Sequence, residues 1–416
     1  MQFGFAEADI TPRTGLTGMS GYGRQRYARG VTSLLKLQAS VIVDEAGARH
    51  ALIAADLLGF DRSSTEAIRR GLASDGFAPE RVILNASHTH YGPPAQFSVT
   101  PSVGSADPWF ILGLEKTAVE TTRRALAEAA DSDIRYGRFR IKIGENRRQS
   151  KKRGVVMGRN PSGPYDADSV FLWARPLAGG RGETVLLAHG CHPVFAGAEG
   201  YCADYPGEFR RGAEVLRPGA KFVFLQGCGA DVNGPSKAQY VSEGERLGRE
   251  LIRSLALEQT QPLRGAFACA ITHASLPLGR RLTHRELDRM AFAPPAPWMA
   301  AFARELLRRP DARRTVPYGV QAWRCGDFSI VAMEGEVVSA YGPLTRKAAG
   351  GTCMVLGYSN AVECYIPTDR ILREGGYEAE ESCWVYRLPA ALGRTAPAVV
   401  EKTIRRALVA TKGIRT

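Results

Sequence analysis

The chain has 416 residues, 44% of them hydrophobic, and its Lys+Arg count exceeds Asp+Glu by 55 to 42, a formal net charge of +13. That composition is ordinary for a globular protein, and no stretch approaches the roughly 18 consecutive apolar residues that a membrane span needs. The basic excess is mostly arginine scattered along helix-like segments, and no aromatic-interleaved basic stripe accompanies it, which excludes nucleic acid as the expected partner.

Residues 1–60 read as strands and loops, with a turn at Asp9-Ile10-Thr11-Pro12 and a glycine-rich connection from Gly15 to Gly30. Leu37–Asp44 and His50–Asp56 alternate on either side of a turn at Glu45-Ala46-Gly47 and predict a hairpin. A helix is expected over 62–75, a buried strand over Arg81–Leu84, and a second helix over 112–130, where Leu114, Ala118, Leu126 and Ala129 recur at helical spacing. Residues 136–160 read as a strand followed by a basic, solvated loop at Arg147-Arg148-Gln149-Ser150-Lys151-Lys152-Arg153. Ser169–Arg175 and Thr184–Ala188 form a strand pair, Phe209–Leu216 a short helix, Lys221–Gln226 a strand and 241–257 another helix. An Arg- and Pro-rich helical insertion spans about 278–315, broken at Pro294-Pro295-Ala296-Pro297. Strands return at Phe328–Met333 and Thr352–Gly357, and a last helix starts at about Pro397. Strands and helices alternate throughout with no internal repeat, so the expected architecture is α/β. It is a mixed central sheet, or pair of sheets, flanked by helices in a single domain over 1–416.

The eight cysteines contain no Cys-x-x-Cys pair. A chain of this size needs no disulfide staples, so they are expected to be reduced and mostly buried. The opening residues Met1–Asp9 lack the basic and long apolar regions of a signal peptide. A cytoplasmic protein without stable membrane association is therefore expected. Its partner is a small-molecule substrate, and the sequence leaves a homo-oligomer open.

Chemistry concentrates in the histidines, of which there are seven. Two, His88 and His90, follow the buried strand in Asn85-Ala86-Ser87-His88-Thr89-His90-Tyr91-Gly92-Pro93. Period-2 geometry puts their imidazoles on one side of an extended backbone, a natural start to a metal site. Two more, His189 and His192, end the run Thr184–Ala188 in Ala188-His189-Gly190-Cys191-His192-Pro193. Two strand ends that both deliver histidines to a loop predict one shared site at a sheet edge.

These motifs, in order, resemble the catalytic amino-terminal domain of the neutral/alkaline ceramidase family. Ser87-His88-Thr89-His90-Tyr91-Gly92-Pro93 is similar to that family's histidine signature. Ala8-Asp9-Ile10-Thr11-Pro12 with Gly21-Tyr22, Asn146-Arg147, His189-Gly190, Gly335-Glu336, Tyr365-Ile366-Pro367-Thr368 and Gly376-Tyr377-Glu378 resemble its other blocks. The resemblance implies one Zn2+ held by His88, His189, Glu336 and Tyr365, with Glu334 competing for the role of Glu336. Two imidazoles and a carboxylate are a standard catalytic zinc set. It also implies that His90, Arg147 and Tyr377 line the pocket, with His90 carrying protons and the others stabilising a developing oxyanion. Asn233, in Asp231-Val232-Asn233-Gly234, stands where the family motif carries its presumed nucleophilic serine. An amide cannot act as that nucleophile, so Asn233 is expected to support the site, with zinc-bound water attacking. Cys191 and Cys228 beside the motifs are expected as packing residues. Asp56, Asp204 and Asp231 are candidates either to orient a ligand histidine or to cap loops.

The expected activity is zinc-dependent hydrolysis of a C–N bond in a linear amide. Alternatives are an ester hydrolase, an amide-forming or rearranging enzyme on the same metal site, and a catalytically inactive metal-binding protein. The arginines of the 278–315 insertion, if placed at the pocket mouth, predict a small, polar, anionic substrate in place of a sphingolipid.

Overall fold

Strands Lys36–Val43 and Arg49–Ala55 form the expected hairpin, with Leu37 opposite Ala55 and Val43 opposite Arg49. Its turn is closed by Asp44, whose Oδ1 accepts from the backbone of Ala46 (3.0 Å) and Ala48 (2.9 Å), and by Gly47 at φ +79°. The computed structural model describes residues 1–13, 17–22, 25–152, 154–178, 182–236, 239–257, 259–294 and 297–412, with Pro297 and Trp298 as backbone only.

The hairpin sits in a nine-stranded mixed sheet. In spatial order its path runs Lys221–Gln226, Thr184–His189, Asp168–Pro176, Ala130–Arg140, Gln2–Asp9, Lys36–Val43, Arg49–Ala55, Val82–Ala86. The short strand Gln261–Pro262 pairs off this path with Ala130–Arg140. A second, four-stranded sheet runs Ala268–Pro277, Thr315–Cys325, Phe328–Met333, Thr352–Leu356.

The two sheets pack face to face. Leu52, Ile83, Leu172, Leu186 and Val223 of the large sheet share one core with Trp323, Ile330 and Met354 of the small one. Each such buried aliphatic side chain contributes about 1.5–3 kcal/mol relative to exposure. Both outer faces carry helices. Pro108–Ala127 packs on strands Gln2–Asp9 and Lys36–Val43. Its start is fixed by Asp107, which accepts from the Trp109 backbone, and by Pro108 in the first turn. Asp204–Leu216 packs on Lys221–Gln226 and against Tyr240–Ala256. Ala396–Ala410 lies on the outer face of the small sheet. The architecture is α/β with mixed sheets and flanking helices, as the alternation of elements predicts. Among the described residues, no helix is long and apolar enough to cross a membrane.

One side chain joins the strand ends that carry the site. Asn85 Oδ1 accepts from the Gln226 backbone (2.7 Å), and its Nδ2 donates to the carbonyls of Gln226 (3.2 Å) and Gly357 (2.8 Å). It thereby ties the carboxyl end of Val82–Ala86 to Lys221–Gln226, the strand at the opposite end of the large sheet's order, and to the segment just past Thr352–Leu356.

Two expectations need correction. The stretch 147–153 is not a solvated loop, because Glu145–Lys151 is a strand paired with Gly154–Asn160, and Arg147 and Arg148 are buried; Arg153 lies outside the described residues. The insertion does form helices, His284–Phe292 and Pro297–Arg308, between neighbouring antiparallel strands that pair Pro277 with Thr315. The second of these helices lines a cleft of about 660 Å³ with Phe302, Glu305 and Leu306, joined by Arg309 just past its end, and not the cavity that holds the histidines.

Candidate metal centre

His88 lies two residues past strand Val82–Ala86, at φ +67°. That left-handed conformation is rare for a residue with a Cβ and is held here by its surroundings. The His88 backbone N–H donates to the Leu57 carbonyl (2.9 Å). Its ring Nδ1 lies 2.6 Å from the Leu58 carbonyl. His192 is placed in the same way: its backbone N–H donates to Val232, and its Nδ1 lies 2.9 Å from the Gly229 carbonyl. A carbonyl only accepts, so in both rings Nδ1 carries the proton and Nε2 presents a lone pair. These carbonyls orient the rings, and none of Asp56, Asp204 and Asp231 does. Asp56 pairs with Arg210 (2.6 Å), Asp204 accepts from the backbone of Phe195 and Ala196, and Asp231 accepts from Ser339 and Asn146.

Both Nε2 atoms face one carboxylate oxygen. Glu336 Oε2 lies 3.2 Å from His88 Nε2 and 3.2 Å from His192 Nε2. His90 Nε2 stands 3.3 Å from His88 Nε2, and ring nitrogens of His88, His90 and His192 all lie within 4.8 Å of one another. His192 Nε2 and Glu336 Oε2 are buried and make no hydrogen bond. Lone pairs of three imidazoles and a carboxylate that converge in a buried space repel one another unless a cation lies among them. Burial, helped by the Arg147 charge, pushes His192 down to about 4, and burial with His88 and His192 alongside holds His90 well below the usual imidazole value. Both rings are thus held neutral near neutral pH, and the donor set fits a zinc ion.

Gly335 sends Glu334 and Glu336 in different directions. Its φ of +84° breaks the strand alternation, and a Cβ there would meet the Cys364 carbonyl at 2.7 Å. Glu334 consequently pairs with Arg62 (2.7 Å), and Glu336 turns to the histidines. Glu336 Oε1 accepts from Tyr386 Oη at 2.5 Å.

The structure sets His189 apart from this group. Its Nδ1 pairs with Ser169 Oγ (2.9 Å) and its Nε2 with Tyr165 Oη (3.0 Å), so both ring nitrogens are occupied, and burial pushes it down to about 3. The place expected for His189 is taken by His192, three residues on. Cys191 and Cys228 are buried, and all eight cysteines are free thiols.

A cavity of about 360 Å³ opens onto the cluster, and His88, His90, His192, Glu336, Tyr365, Arg147, Asn233 and Tyr377 line it. Leu58, Val103, Met157, Val194 and Val385 give it apolar walls. Tyr365 is the register partner of Glu336 in a short parallel pair, and its hydroxyl accepts from Arg147 Nη2 at 3.0 Å. The strand register shifts around Arg147: Asn146 pairs with Asn160 and Arg148 with Met157, so two residues of the partner strand face Arg147 alone. Arg147 Nε (2.8 Å) and Arg148 Nη1 (2.6 Å) both reach the buried carboxylate of Glu378. Sequence patterns missed Tyr386 altogether, and the role of Glu378 was hidden in the Tyr377-Glu378 block.

No protein-family profile and no curated protein matches the sequence. Solved structures do match. The neutral ceramidase from Pseudomonas aeruginosa aligns at a TM-score of 0.75 and 17% identity, over 98% of this chain and 74% of that one. A structure described as ceramidase complexed with C2 aligns at 0.76 and 17% identity, over 98% of this chain and 75% of that one. The chain has the neutral ceramidase fold.

Proposed function

We propose that the chain is a metal-dependent hydrolase that cleaves the C–N bond of a linear amide. The observation that carries this reading is the convergence of His88 Nε2 and His192 Nε2 on Glu336 Oε2 at 3.2 Å, at the base of a cavity large enough for an organic substrate. His88, His192 and Glu336 are the proposed zinc ligands, with Tyr365 as the fourth. Burial raises the Tyr365 phenol well above its usual value, while the fixed Arg147 cation works in the opposite direction and favours the phenolate. When bound, the ion supplies Lewis acidity at the substrate carbonyl and lowers the pKa of water.

The chain's own residues supply the rest. His90 lines the cavity as a neutral imidazole, and its buried Nδ1 has no partner. It takes a proton from the attacking water and returns it to the leaving nitrogen. Arg147, locked by Glu378, holds the polar end of the cavity. The apolar side chains around it exclude water and accept an apolar arm of the substrate. The arginines of the insertion do not line this cavity, so the basis for expecting an anionic substrate is removed. An N-acyl compound with an apolar acyl chain fits the walls better, and the ceramidase fold of the solved relatives supports that chemistry.

The test is metal analysis of protein purified without chelator, combined with a hydrolysis assay on N-acyl amides of increasing chain length and on matched esters. About one zinc per chain and turnover that chelation abolishes are expected. Metal-free protein, or no turnover of any amide or ester, would overturn the reading. Turnover of esters alone would assign ester hydrolysis.

A further inference from the structure

We infer that Asn233 is a catalytic residue whose side-chain Nδ2 donates a hydrogen bond to the carbonyl oxygen of the scissile amide as negative charge develops there. The inference rests on the amide-hydrolase reading above and assigns a role to the residue that replaces the serine of the resembling motif.

The orientation of the Asn233 amide follows from its neighbour. Arg147 Nη1 lies 3.3 Å from Asn233 Oδ1. A guanidinium only donates, so the atom facing it is the carbonyl oxygen, and the NH2 group occupies the other branch of the planar amide. Asn233 lines the cavity beside the histidines, and among the described residues its Nδ2 has no hydrogen-bond partner and is not sealed in the interior. It is a donor left without a protein partner on a residue that lines the cavity. Its backbone is held on two sides. Val232–Asn233 pairs with strand Glu145–Lys151, placing Asn233 opposite Glu145, and Asn233 bridges to His192. Behind it, Gly234 fits because a Cβ there would meet the Phe195 ring at 2.4 Å. A donor fixed in advance in a site with apolar walls needs no reorganisation as charge develops, which is the condition for strong oxyanion stabilisation.

The step balances without a further reactant. Water adds to the acyl carbon, a C–O bond forms, the C=O π pair moves onto oxygen, and the water's proton goes to His90. Asn233 Nδ2 stabilises the resulting oxyanion. The pair then re-forms C=O, the C–N bond breaks, and nitrogen leaves with the bonding pair and the proton from His90. Amide and water become carboxylic acid and amine. Asn233 forms no bond to the substrate, consistent with the weak nucleophilicity of an amide nitrogen.

Asn233→Asp separates this role from a structural one, because it keeps an oxygen for Arg147 and removes the donor. With an N-acyl amide that the native protein hydrolyses, Asn233→Asp and Asn233→Leu should each lower kcat by on the order of 100- to 1,000-fold. KM should stay within about threefold and bound zinc should be unchanged, because ground-state binding and the ligands are untouched. Affinity for a phosphonate analogue of the tetrahedral intermediate should fall in parallel with kcat/KM. An Asn233→Asp protein with kcat within about threefold of native, or a phosphonate affinity that does not follow kcat/KM, would overturn the role of Asn233 alone. A native protein that hydrolyses no amide overturns the hydrolase reading and this inference together.

Discussion

Tyr386 donates its hydroxyl to Glu336 Oε1 at 2.5 Å, which leaves Oε2 of the same carboxylate facing His88 and His192 at 3.2 Å each. The phenol acts on the site through Glu336, by fixing which oxygen reaches the histidines. Removing such an orienting partner weakens metal binding by about 10–100-fold. Tyr386→Phe keeps the ring and removes only the hydroxyl. A metal titration against a competing chelator should show that loss of affinity, and unfolding stability should fall by about 1.5–3 kcal/mol, the range for a hydrogen bond to a charged group. Equal affinity in the two proteins would mean that Glu336 is positioned without Tyr386.

The two histidines of the second motif should behave in opposite ways. His192→Ala should abolish stoichiometric metal binding. His189→Asn should retain the metal and lose stability instead, by about 1–3 kcal/mol, because it disturbs the buried contacts to Ser169 and Tyr165. Metal content and urea denaturation of the two variants check both statements. Metal lost from the His189 variant and kept by the His192 variant would restore the ligand set that the sequence motif implied.

Glu378 neutralises two buried guanidiniums at once. Taking away one partner of a buried ion pair leaves an uncompensated charge and costs about 3–5 kcal/mol. Glu378→Ala should therefore be strongly destabilised, visible as a large fall in denaturation midpoint. A midpoint close to native would show that Arg147 and Arg148 find other counter-charges.

Asp204 gives a pH dependence of defined sign. Burial raises its carboxyl from 3.8 to about 7, although the backbone N–H groups of Tyr205, Ala196 and Phe195 oppose the shift. Between those two values the folded chain binds more protons at this group than the unfolded chain does. Its contribution to stability thus falls as pH rises from 3.8 toward about 7 and levels off above that. Asn tolerates the φ of +56° at this position and does not titrate. The stability difference between native protein and Asp204→Asn should therefore shift in favour of the variant between about pH 5 and about pH 7.5, by up to roughly 1.4 kcal/mol per unit. Urea titrations at the two pH values measure it. A difference that stays constant would mean that Asp204 is already charged at the lower pH.

The alternation and turn residues of 37–56 predict a hairpin, and the structure contains it in register. The His-x-His after a buried strand predicts clustered imidazoles, and their Nε2 atoms lie 3.3 Å apart, although His88 at φ +67° departs from the extended backbone on which that expectation rested. Such features are legible because they depend on neighbours in sequence: side-chain period, turn chemistry and the length of apolar runs.

Strand parity also carried information about His189. It shares its face with Val185 and Leu187, which pack under the helices with Phe209 and Leu247, whereas Leu186 and Ala188 face the second sheet. Period 2 therefore directs His189 toward the helix side, and His192, beyond the Gly190 turn, is free of that constraint. The motif resemblance pointed to His189, and only the packing of the two faces shows that its side of the strand lies under the helices.

Other decisions belong to the tertiary structure alone. A left-handed residue at His88, a positive φ at Gly335 and the register shift opposite Arg147 are each invisible to regular strand alternation. Each is held by contacts distant in sequence: the Leu57 and Leu58 carbonyls for His88, the Cys364 backbone beside Gly335, and Glu378 for Arg147. The arginines of the insertion likewise reveal their place only through packing, against a cleft that shares Tyr386 with the site's cavity. Local sequence determines which residue types are available and which face of a strand they occupy. Long-range contacts, which alone can hold a backbone in a strained conformation and keep charges buried, decide which of those residues meet.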